Sequence, residues 1–426
     1  MRILRLRAYF DPENVSASSL ANDMDEAYAR NGITVVNYTP MPTRGVSDEV
    51  RKQYKKKKYE ELRDGHVIVH RFSMFREGRN PIQRAFRYLC CFAVEYHKGV
   101  SEKDIDLVHC GSTPPTQGLL GGLVAKKLSK KLHRKVPFVY NLQDIFPDSL
   151  VNAGMTKKGS LLWKIGRAIE DKTYRNADRI IGISESFRQN LLEKGVPEEK
   201  IEIVPNWIDL DAVNPVGRAE NRLFDECGID RNQFVVLYAG NLGEMQGADV
   251  ILDAAEKLKD ENGIRFVIFG GGSCFDSFRQ RAEKLPNVSV FPLLPVERVS
   301  EVYSMGDLAL ITCKPGSGGA AMPSKTWSIM ACGTPIVASF DTDSEFARVI
   351  SLSGAGKCVE PGNAGALAEA IREGSRKKEK TEEKSKSIRE YAIRNASKTE
   401  CVKKYLRVLM DAAETENEMK QGKKEA

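Results

Sequence analysis

Strand-like and helix-like segments alternate along almost the whole chain, and this alternation limits the possible folds more than any other feature. Short runs rich in β-branched residues recur between longer amphipathic stretches, which is typical of parallel sheets covered by helices. Strands are predicted at residues 3–9, 33–38, 66–71, 107–110, 138–142, 179–183 and 201–204, then at 234–239, 264–269, 288–291, 308–312, 336–339 and 356–359. In the first half, helices are predicted near 18–31, 82–97, 118–132, 161–176 and 185–194.

The length of 426 residues exceeds what one ordinary hydrophobic core supports, so two domains are predicted. We expect an α/β protein with two doubly wound, Rossmann-like domains, whose sheets direct their carboxyl ends toward a common cleft. Residues 205–215 are the predicted hinge. The predicted parts are a first domain at 1–208, a second at 209–385, a final helix within 386–412 and a polar tail at 413–426.

Charge, cysteine content and hydropathy exclude several classes of protein. The net charge of +7 permits an anionic partner. The nine cysteines form no C-x-x-C pair, which favours reduced thiols over a structural zinc site. No apolar run approaches ~20 residues, so no membrane-spanning segment is expected.

Three glycine-rich junctions in the second half indicate a nucleotide site. The segment 322–339, MPSKTWSIMACGTPIVAS, predicts a helix opened by Ser324 and Lys325, where a phosphate can bind. YAGNLGEMQG carries Gly240 and two potential side-chain donors, Asn241 and Gln246. A second strand–glycine–helix junction contains Gly270, Gly271 and Gly272. For either loop alone, a tight turn without a ligand remains an alternative.

Acidic residues give weaker signals. NLQDIFPDSL follows a predicted strand with Gln143, Asp144 and Asp148, so these polar residues are candidates for a catalytic cleft. Capping of the following turn is the alternative for Asp148, and capping also stays open for Asp144. Asp341 and Asp343 resemble the D-x-D that holds a metal in some sugar transferases. An Asx turn is the preferred explanation of that pair.

A basic and aromatic segment, 73–99, predicts a helix at a membrane surface. Arginines lie beside an apolar face, which suits an anionic bilayer; the predicted contacts are Arg76, Arg84, Phe86, Arg87 and Phe92. An internal packing helix with basic flanks is the open alternative. The basic run at 51–58 is expected to be a mobile loop. No nucleic-acid recognition motif accompanies these clusters, so no nucleic-acid partner is expected.

Taken together, these motifs resemble the family-four retaining glycosyltransferases of the GT-B fold, nearest to bacterial enzymes of O-antigen, capsule and exopolysaccharide synthesis. The resemblance rests on QDIFPDSL, residues 177–209, YAGNLGEMQG and PSKTWSIMACGTPIVAS, and covers nearly the whole chain. It implies a nucleotide-sugar donor held by the second domain, an acceptor held by the first, and a final helix that crosses back to the first domain.

The resemblance also assigns individual residues. The diphosphate loop falls on residues 240–247, with Asn241 and Gln246 in place of the family's Arg and Lys, so that Lys325 becomes the compensating cation. The nucleobase is expected near Gly270–Gly272 and Phe291–Leu294. The family's two glutamates fall on Ala320 and Ser328, where Ser328 offers a weaker hydrogen bond to ribose; the run at 316–321 is expected to present amides to the donor sugar. The family's His-Asp falls on Gln143 and Asp144.

The expected activity is metal-free, retaining transfer of a sugar, N-acetylated by analogy, from a UDP-sugar to a polyprenyl-diphosphate-linked acceptor. No cofactor is expected, and the chain is expected in the cytoplasm, at the inner face of the cell membrane. Two alternatives stay open: a sugar-nucleotide epimerase, which shares the architecture, and a non-catalytic partner subunit of another transferase.

Overall fold

The computed structural model describes residues 1–13, 18–78, 80–152, 154–318, 322–377 and 380–424. The chain forms two compact units. One contains Met1–Val204 together with Thr399–Ala426, and the other contains Pro205–Lys398. The predicted hinge therefore begins at the boundary between the two units.

The first unit is an eight-stranded sheet with helices on both faces. Its strands are β1 (Arg2–Leu6), β2 (Thr34–Pro40), β3 (Tyr59–Leu62), β4 (Val67–Phe72), β5 (Leu107–Gly111), β6 (Phe138–Leu142), β7 (Arg179–Gly182) and β8 (Ile201–Ile203). Their order is β3-β4-β2-β1-β5-β6-β7-β8, and only the edge strand β3 is antiparallel. Its helices are α1 (Ser18–Arg30), α2 (Asp48–Tyr54), α3 (Pro81–Ser101), α4 (Gln117–Lys131), α5 (Asp148–Asn152), α6 (Leu161–Asn176) and α7 (Glu185–Glu193).

The second unit is a six-stranded, all-parallel sheet in the order β11-β10-β9-β12-β13-β14. The strands are β9 (Phe234–Asn241), β10 (Ile264–Gly271), β11 (Val288–Pro292), β12 (Leu308–Thr312), β13 (Ile336–Ser339) and β14 (Gly356–Val359). The helices are α8 (Leu223–Glu226), α9 (Asp249–Lys257), α10 (Phe275–Ala282), α11 (Val299–Met305), α12 (Lys325–Ala331), α13 (Glu345–Leu352), α14 (Ala364–Lys377) and α15 (Glu382–Ala396).

Strand β9 shows why the alternation in the sequence produces this fold. Val235 and Leu237 belong to one core cluster, while Val236 and Tyr238 belong to another. Successive strand residues point to opposite faces, so each face of the sheet has its own helix-covered core. The predicted class, α/β with two doubly wound parallel sheets, is confirmed.

Two sequence expectations were wrong. The basic run at 51–58 is not simply a loop, because Arg51–Tyr54 form the end of α2 and the Arg51 guanidinium donates to the carbonyls of Pro42 and Met74. The edge strand β3 follows it and was missed, since its polar sequence YEEL lacks the apolar pattern of a buried strand.

The single final helix predicted within 386–412 is two helices. α15 packs into the core of the second unit through Ile388, Ala392 and Ala396, and α16 (Lys398–Lys424) joins the first unit. Ser397 between them is extended and forms a parallel bridge with Ile208. This bridge joins the segment at Ile208 to the segment at Ser397 by hydrogen bonds. The periodicity of the sequence alone does not reveal such a contact. Among the described helices, none combines the length and the apolar content needed to cross a bilayer.

Because Ile388 is completely buried in the second unit, Ile388→Ala should lower the free energy of unfolding by about 2–5 kcal/mol. Hydrogen exchange read by mass spectrometry should lose protection within 205–398. The matched control on the same helix is Ile393→Ala, whose side chain is 39% exposed; its effect should be small. Loss of protection confined to 1–204 would show that α15 has been placed in the wrong unit.

Candidate functional site

The topological switch point of the second sheet brings the glycine-rich segments together. After β9 the chain continues to β10 on one side, and after β12 it continues to β13 on the other, which leaves a crevice at the carboxyl ends of these strands. The loops that follow them meet there, because the Lys314 amide donates to the Met245 carbonyl at 2.9 Å. The two glycine turns also start side by side, since Gly240 and Gly270 are register partners.

Lys325, at the first position of α12, points back to the end of β9. Its Nζ lies 3.3 Å from the Ala239 carbonyl oxygen and 3.9 Å from the centroid of the Tyr238 ring. Gly240 adopts φ 147°, which favours glycine, and a Cβ there would lie 3.3 Å from Lys325 Nζ. The glycine therefore provides both the turn and the space for the ammonium group.

The environment of this ammonium group is short of negative charge. Within the described part of the chain no carboxylate pairs with Lys325, and its recorded partners are a carbonyl and a ring face. Desolvation lowers the pKa of Lys325 from 10.5 to about 7. A cation held in this state gains most from an anionic ligand, because the ligand supplies the missing counter-charge.

Asn241 and Gln246, predicted to contact the ligand, bond to each other. Gln246 Oε1 accepts from Asn241 Nδ2 at 2.9 Å and from the Gly243 amide at 3.2 Å. The loop is also tied to its neighbour, since the Leu242 amide donates to the Gly271 carbonyl at 2.6 Å. In this arrangement the two amide side chains shape the loop.

The remaining predicted donor-site residues surround the same edge of the sheet. Gly272 has φ 123°, and a Cβ there would overlap Asn241 Oδ1. Leu294 is partly buried and packs against the core of the second unit. Leu293 is 50% exposed, and its amide donates to the Gly270 carbonyl. Ser324 is exposed immediately before α12, and Ser328 is partly buried within it. Ala320 lies outside the described residues.

Of the Asp341 and Asp343 pair, Asp341 has a structural role that the sequence only suggested. Asp341 Oδ1 accepts from the Gly316 amide at 2.9 Å and Oδ2 from the Gly318 amide at 2.7 Å. The Ser344 hydroxyl accepts from the Ala347 amide and caps α13. Asp341 therefore anchors the loop after β12, which supports the turn over the metal site. Over the ranges that the structure describes, no three His, Cys, Asp or Glu residues are grouped to hold a metal ion.

In the first unit, Gln143 and Asp144 follow β6 at the carboxyl edge of the sheet. The Ser112 hydroxyl, which follows β5, accepts from both of their amides, at 3.0 and 3.2 Å. Gln143 Nε2 donates to Asn141 Oδ1 at 3.0 Å. Asp144 has an exposed side chain that accepts from Ser149, and partial desolvation of its carboxylate raises its pKa.

Asp148 belongs to a partly buried charge network. Its carboxylate accepts from Lys194 at 2.7 Å, and Lys194 also pairs with Glu170 at 2.8 Å. Desolvation raises the pKa of Asp148, but the hydrogen bond and charge of Lys194 outweigh it, so the pKa is lowered overall. This residue stabilises the packing between α5, α6 and α7.

Two residues of helix α3 that were predicted to contact a membrane, Arg87 and Phe92, point into the first unit instead. Arg87 is completely buried, where its Nε donates to the Phe75 carbonyl and its guanidinium lies 4.0 Å from Glu77. Phe92 packs against the core of the first unit. Helix α3 thus directs the polar Arg87 side chain inward. The spacing of residues along a helix does not specify which face meets the core.

The other predicted contacts, two on this helix and Arg76 in the segment before it, lie nearer the surface. Arg76 pairs with Asp48, and Arg84 pairs with Glu77 at 3.0 Å. Phe86 is 59% exposed and stacks on Phe75. Two further exposed side chains, Ile82 and Leu89, lie on the same face, because their spacing with Phe86 is that of one helix face. The sequence analysis did not place them among the membrane contacts.

Comparisons with known proteins agree with this architecture. The family model for glycosyltransferase family 4 matches residues 18–212, and that for glycosyl transferases group 1 matches residues 220–395. A relative named for colanic acid biosynthesis, glycosyl transferase WcaI of Escherichia coli, is 31% identical over 55% of this chain. Glycosyltransferase WbjE of Pseudomonas aeruginosa is 30% identical, also over 55% of the chain. The chain spans 59% of the length of each of these relatives.

Solved structures share the fold at low identity. Sucrose-phosphate synthase from Thermosynechococcus elongatus aligns with TM-score 0.73 and 16% identity, covering 96% of this chain and 98% of that protein. Anabaena Alr3699/HepE, in complex with UDP and glucose, aligns with TM-score 0.68 and 16% identity, covering 96% and 100%. With one family model matched on each half of the chain and this fold throughout, the chain belongs to the family-four glycosyltransferases of the GT-B fold.

Proposed function

We propose that the chain transfers a sugar from a UDP-sugar to a lipid-linked saccharide acceptor during the synthesis of a cell-surface polysaccharide. The observation that carries this proposal is the Lys325 ammonium at the switch point of the second sheet. It lies beside the Gly240 turn and has no carboxylate partner among the residues that the structure describes. A diphosphate has the charge and the oxygen acceptors that this position lacks.

The donor would lie along the carboxyl edge of the second sheet. Lys325 would bind the diphosphate and stabilise the charge that develops on it as the glycosidic bond breaks. The nucleobase would lie at Gly270–Gly272 and Leu294, and Ser324 and Ser328 would bind phosphate and ribose oxygens. The resemblance to structures that contain UDP or UDP-glucose supports uridine as the base.

The acceptor would be bound by the first unit. Asp144 has an exposed carboxylate of raised pKa at the carboxyl edge of its sheet, and Gln143 beside it would hydrogen-bond to the reacting sugar. Retention of configuration, an N-acetylated donor sugar and metal-free transfer are part of the same proposal. A polyprenyl-diphosphate acceptor would place the chain at the inner face of the cell membrane, with Phe86, Arg84 and Arg76 toward anionic lipid.

A thermal-shift screen with UDP-, GDP- and ADP-sugars tests the donor class. At about 100 times Kd, a nucleotide stabilises a protein by about 2.7 kcal/mol, so UDP-sugars should raise the Tm of the second unit, Pro205–Lys398, by about 5 °C or more. GDP- and ADP-sugars should have smaller effects. Absence of a shift with every nucleotide sugar would favour a non-catalytic partner subunit, and conversion of a UDP-sugar without acceptor would favour an epimerase.

Lys325→Met should lower kcat/KM by about 100- to 1000-fold, because one charge-assisted contact to the departing group is lost. Its Tm should be no lower than that of the unsubstituted chain, since the substitution removes a desolvated cation that has no carboxylate partner. Lys357→Met is the matched control: this lysine is exposed and pairs with Glu373 on the same unit. Near-normal turnover of the Lys325 variant would exclude the residue from the mechanism.

Binding of a UDP-sugar should weaken as pH rises above about 7, the pKa to which desolvation lowers Lys325. Below that pH the Lys325 amine is already protonated; above it, the protein must take up a proton at Lys325 as the ligand binds. Calorimetry at pH 8 in buffers of different ionisation enthalpy should detect this uptake, and Lys325→Met should abolish it. Affinity that is constant from pH 6 to 9 would contradict the assignment.

The same lowered pKa has the opposite consequence for the unliganded protein. The unfolded chain keeps a proton that the folded chain releases, so the contribution of Lys325 to folding stability increases as pH rises from about 7 toward 10.5.

A further inference from the structure

The start of helix α6 presents large apolar side chains to solvent. Leu161 is 76% exposed, Leu162 and Ile165 are each 51% exposed, and Met155 in the preceding turn is 68% exposed. The Ser160 hydroxyl accepts from the Trp163 amide and fixes the first turn of the helix. These side chains are therefore held on an ordered helix end.

The free charges within this stretch of the chain have one sign. Lys157, Lys158 and Lys164 are exposed, and the sequence between Asp148 and Glu170 contains no acidic residue. The other basic residue in this stretch, Arg167, is engaged with Glu170 and Asp171. Apolar side chains surrounded by free lysines match a surface that is apolar inside and anionic at its boundary.

Helices α3 and α6 extend past the same end of α4. The Gln117 side chain at the start of α4 donates to Glu95 of α3 at 2.7 Å, and Gly99 of α3 packs against Val124, so these helices run in the same direction. Gly118 of α4 packs against Thr173 of α6, and Gly122 packs against Asn176, so α6 also runs in the same direction as α4.

The first turns of α3 and α6 therefore project about 20 Å beyond the start of α4, at the carboxyl edge of the sheet. The first half of α3 carries the exposed Ile82, Phe86 and Leu89. The two overhanging ends thus present two separate apolar surfaces on the same side of the first unit.

The beginning of α6 is also tied to the candidate acceptor site. Gly166 packs against Phe146 and Pro147, which lie two and three residues after Asp144 in the chain. A surface that binds the start of α6 would thus hold the Asp144 segment at a fixed height above it.

We propose that segment 155–165 is a second membrane-docking element, which inserts Leu161, Leu162 and Ile165 into the interface of an anionic bilayer while its lysines bind lipid headgroups. It acts beside the exposed face of α3, and the acceptor site lies at the edge between the two. Docking through this segment does not require sugar transfer, so the two proposals can fail independently.

Co-sedimentation with phosphatidylcholine vesicles, with and without phosphatidylglycerol, tests this proposal. The combined variant Leu161→Ser, Leu162→Ser, Ile165→Ser should bind anionic vesicles at least about tenfold more weakly, because its apolar insertion is lost. Leu352→Ser is the control for a single exposed leucine, since Leu352 is 68% exposed on the second unit, and should bind normally, whereas Leu161→Ser alone should not.

The lysines are tested separately. Lys157→Gln, Lys158→Gln and Lys164→Gln should each cost about fivefold on anionic vesicles and little on phosphatidylcholine alone. The control triple Lys126→Gln, Lys127→Gln, Lys130→Gln changes exposed lysines of α4 and should have a smaller effect.

Three results would overturn the proposal. One is normal binding by the folded serine triple while Phe86→Ser with Leu89→Ser abolishes binding, which would assign the membrane contact to α3 alone. Another is that the unsubstituted chain and the lysine variants each bind equally well to vesicles with and without phosphatidylglycerol. The third is a change of oligomeric state in the serine triple with unchanged vesicle binding, measured by sedimentation velocity, which would make this surface a contact between copies of the chain.

Discussion

Parallel strands bring all of their carboxyl ends to one edge of a sheet, and the placement of the candidate residues depends on this constraint. In the second unit it joins three segments that are far apart in sequence: the Gly240 turn, the Gly270 turn and Lys325. The ammonium group is then held over the Tyr238 ring by α12, in a position that costs solvation energy. Such a position persists without a counter-charge only if the rest of the unit stabilises it, as the fully buried β9 core does.

The departures from the family pattern have a common physical consequence. Where the family has cations in the loop after the first strand of this sheet, Asn241 and Gln246 bond to each other and shape the loop. Asp341 holds the glycine loop after β12 by two amide hydrogen bonds. In the proposed function, Lys325 would supply the positive charge for a diphosphate, while these neighbouring polar side chains organise the backbone around it.

The sequence was sufficient to predict most strands, because β-branched runs between glycine turns are a local signal. It also predicted the neighbourhood of Lys325 and Gly240, since both follow buried strands. It did not predict the inward orientation of Arg87, because an amphipathic period does not say which face meets the core. The break at Ser397 was missed for a related reason: its cause, the bridge to Ile208, lies far away in the sequence.

The account depends on Lys325 most directly, and a structure of the protein with bound UDP tests it. We expect the diphosphate beside the Gly240 turn, with Lys325 Nζ moved from the Ala239 carbonyl to within about 3 Å of a phosphate oxygen. A nucleotide bound elsewhere, or a diphosphate in this crevice with Lys325 still on the carbonyl, would contradict it.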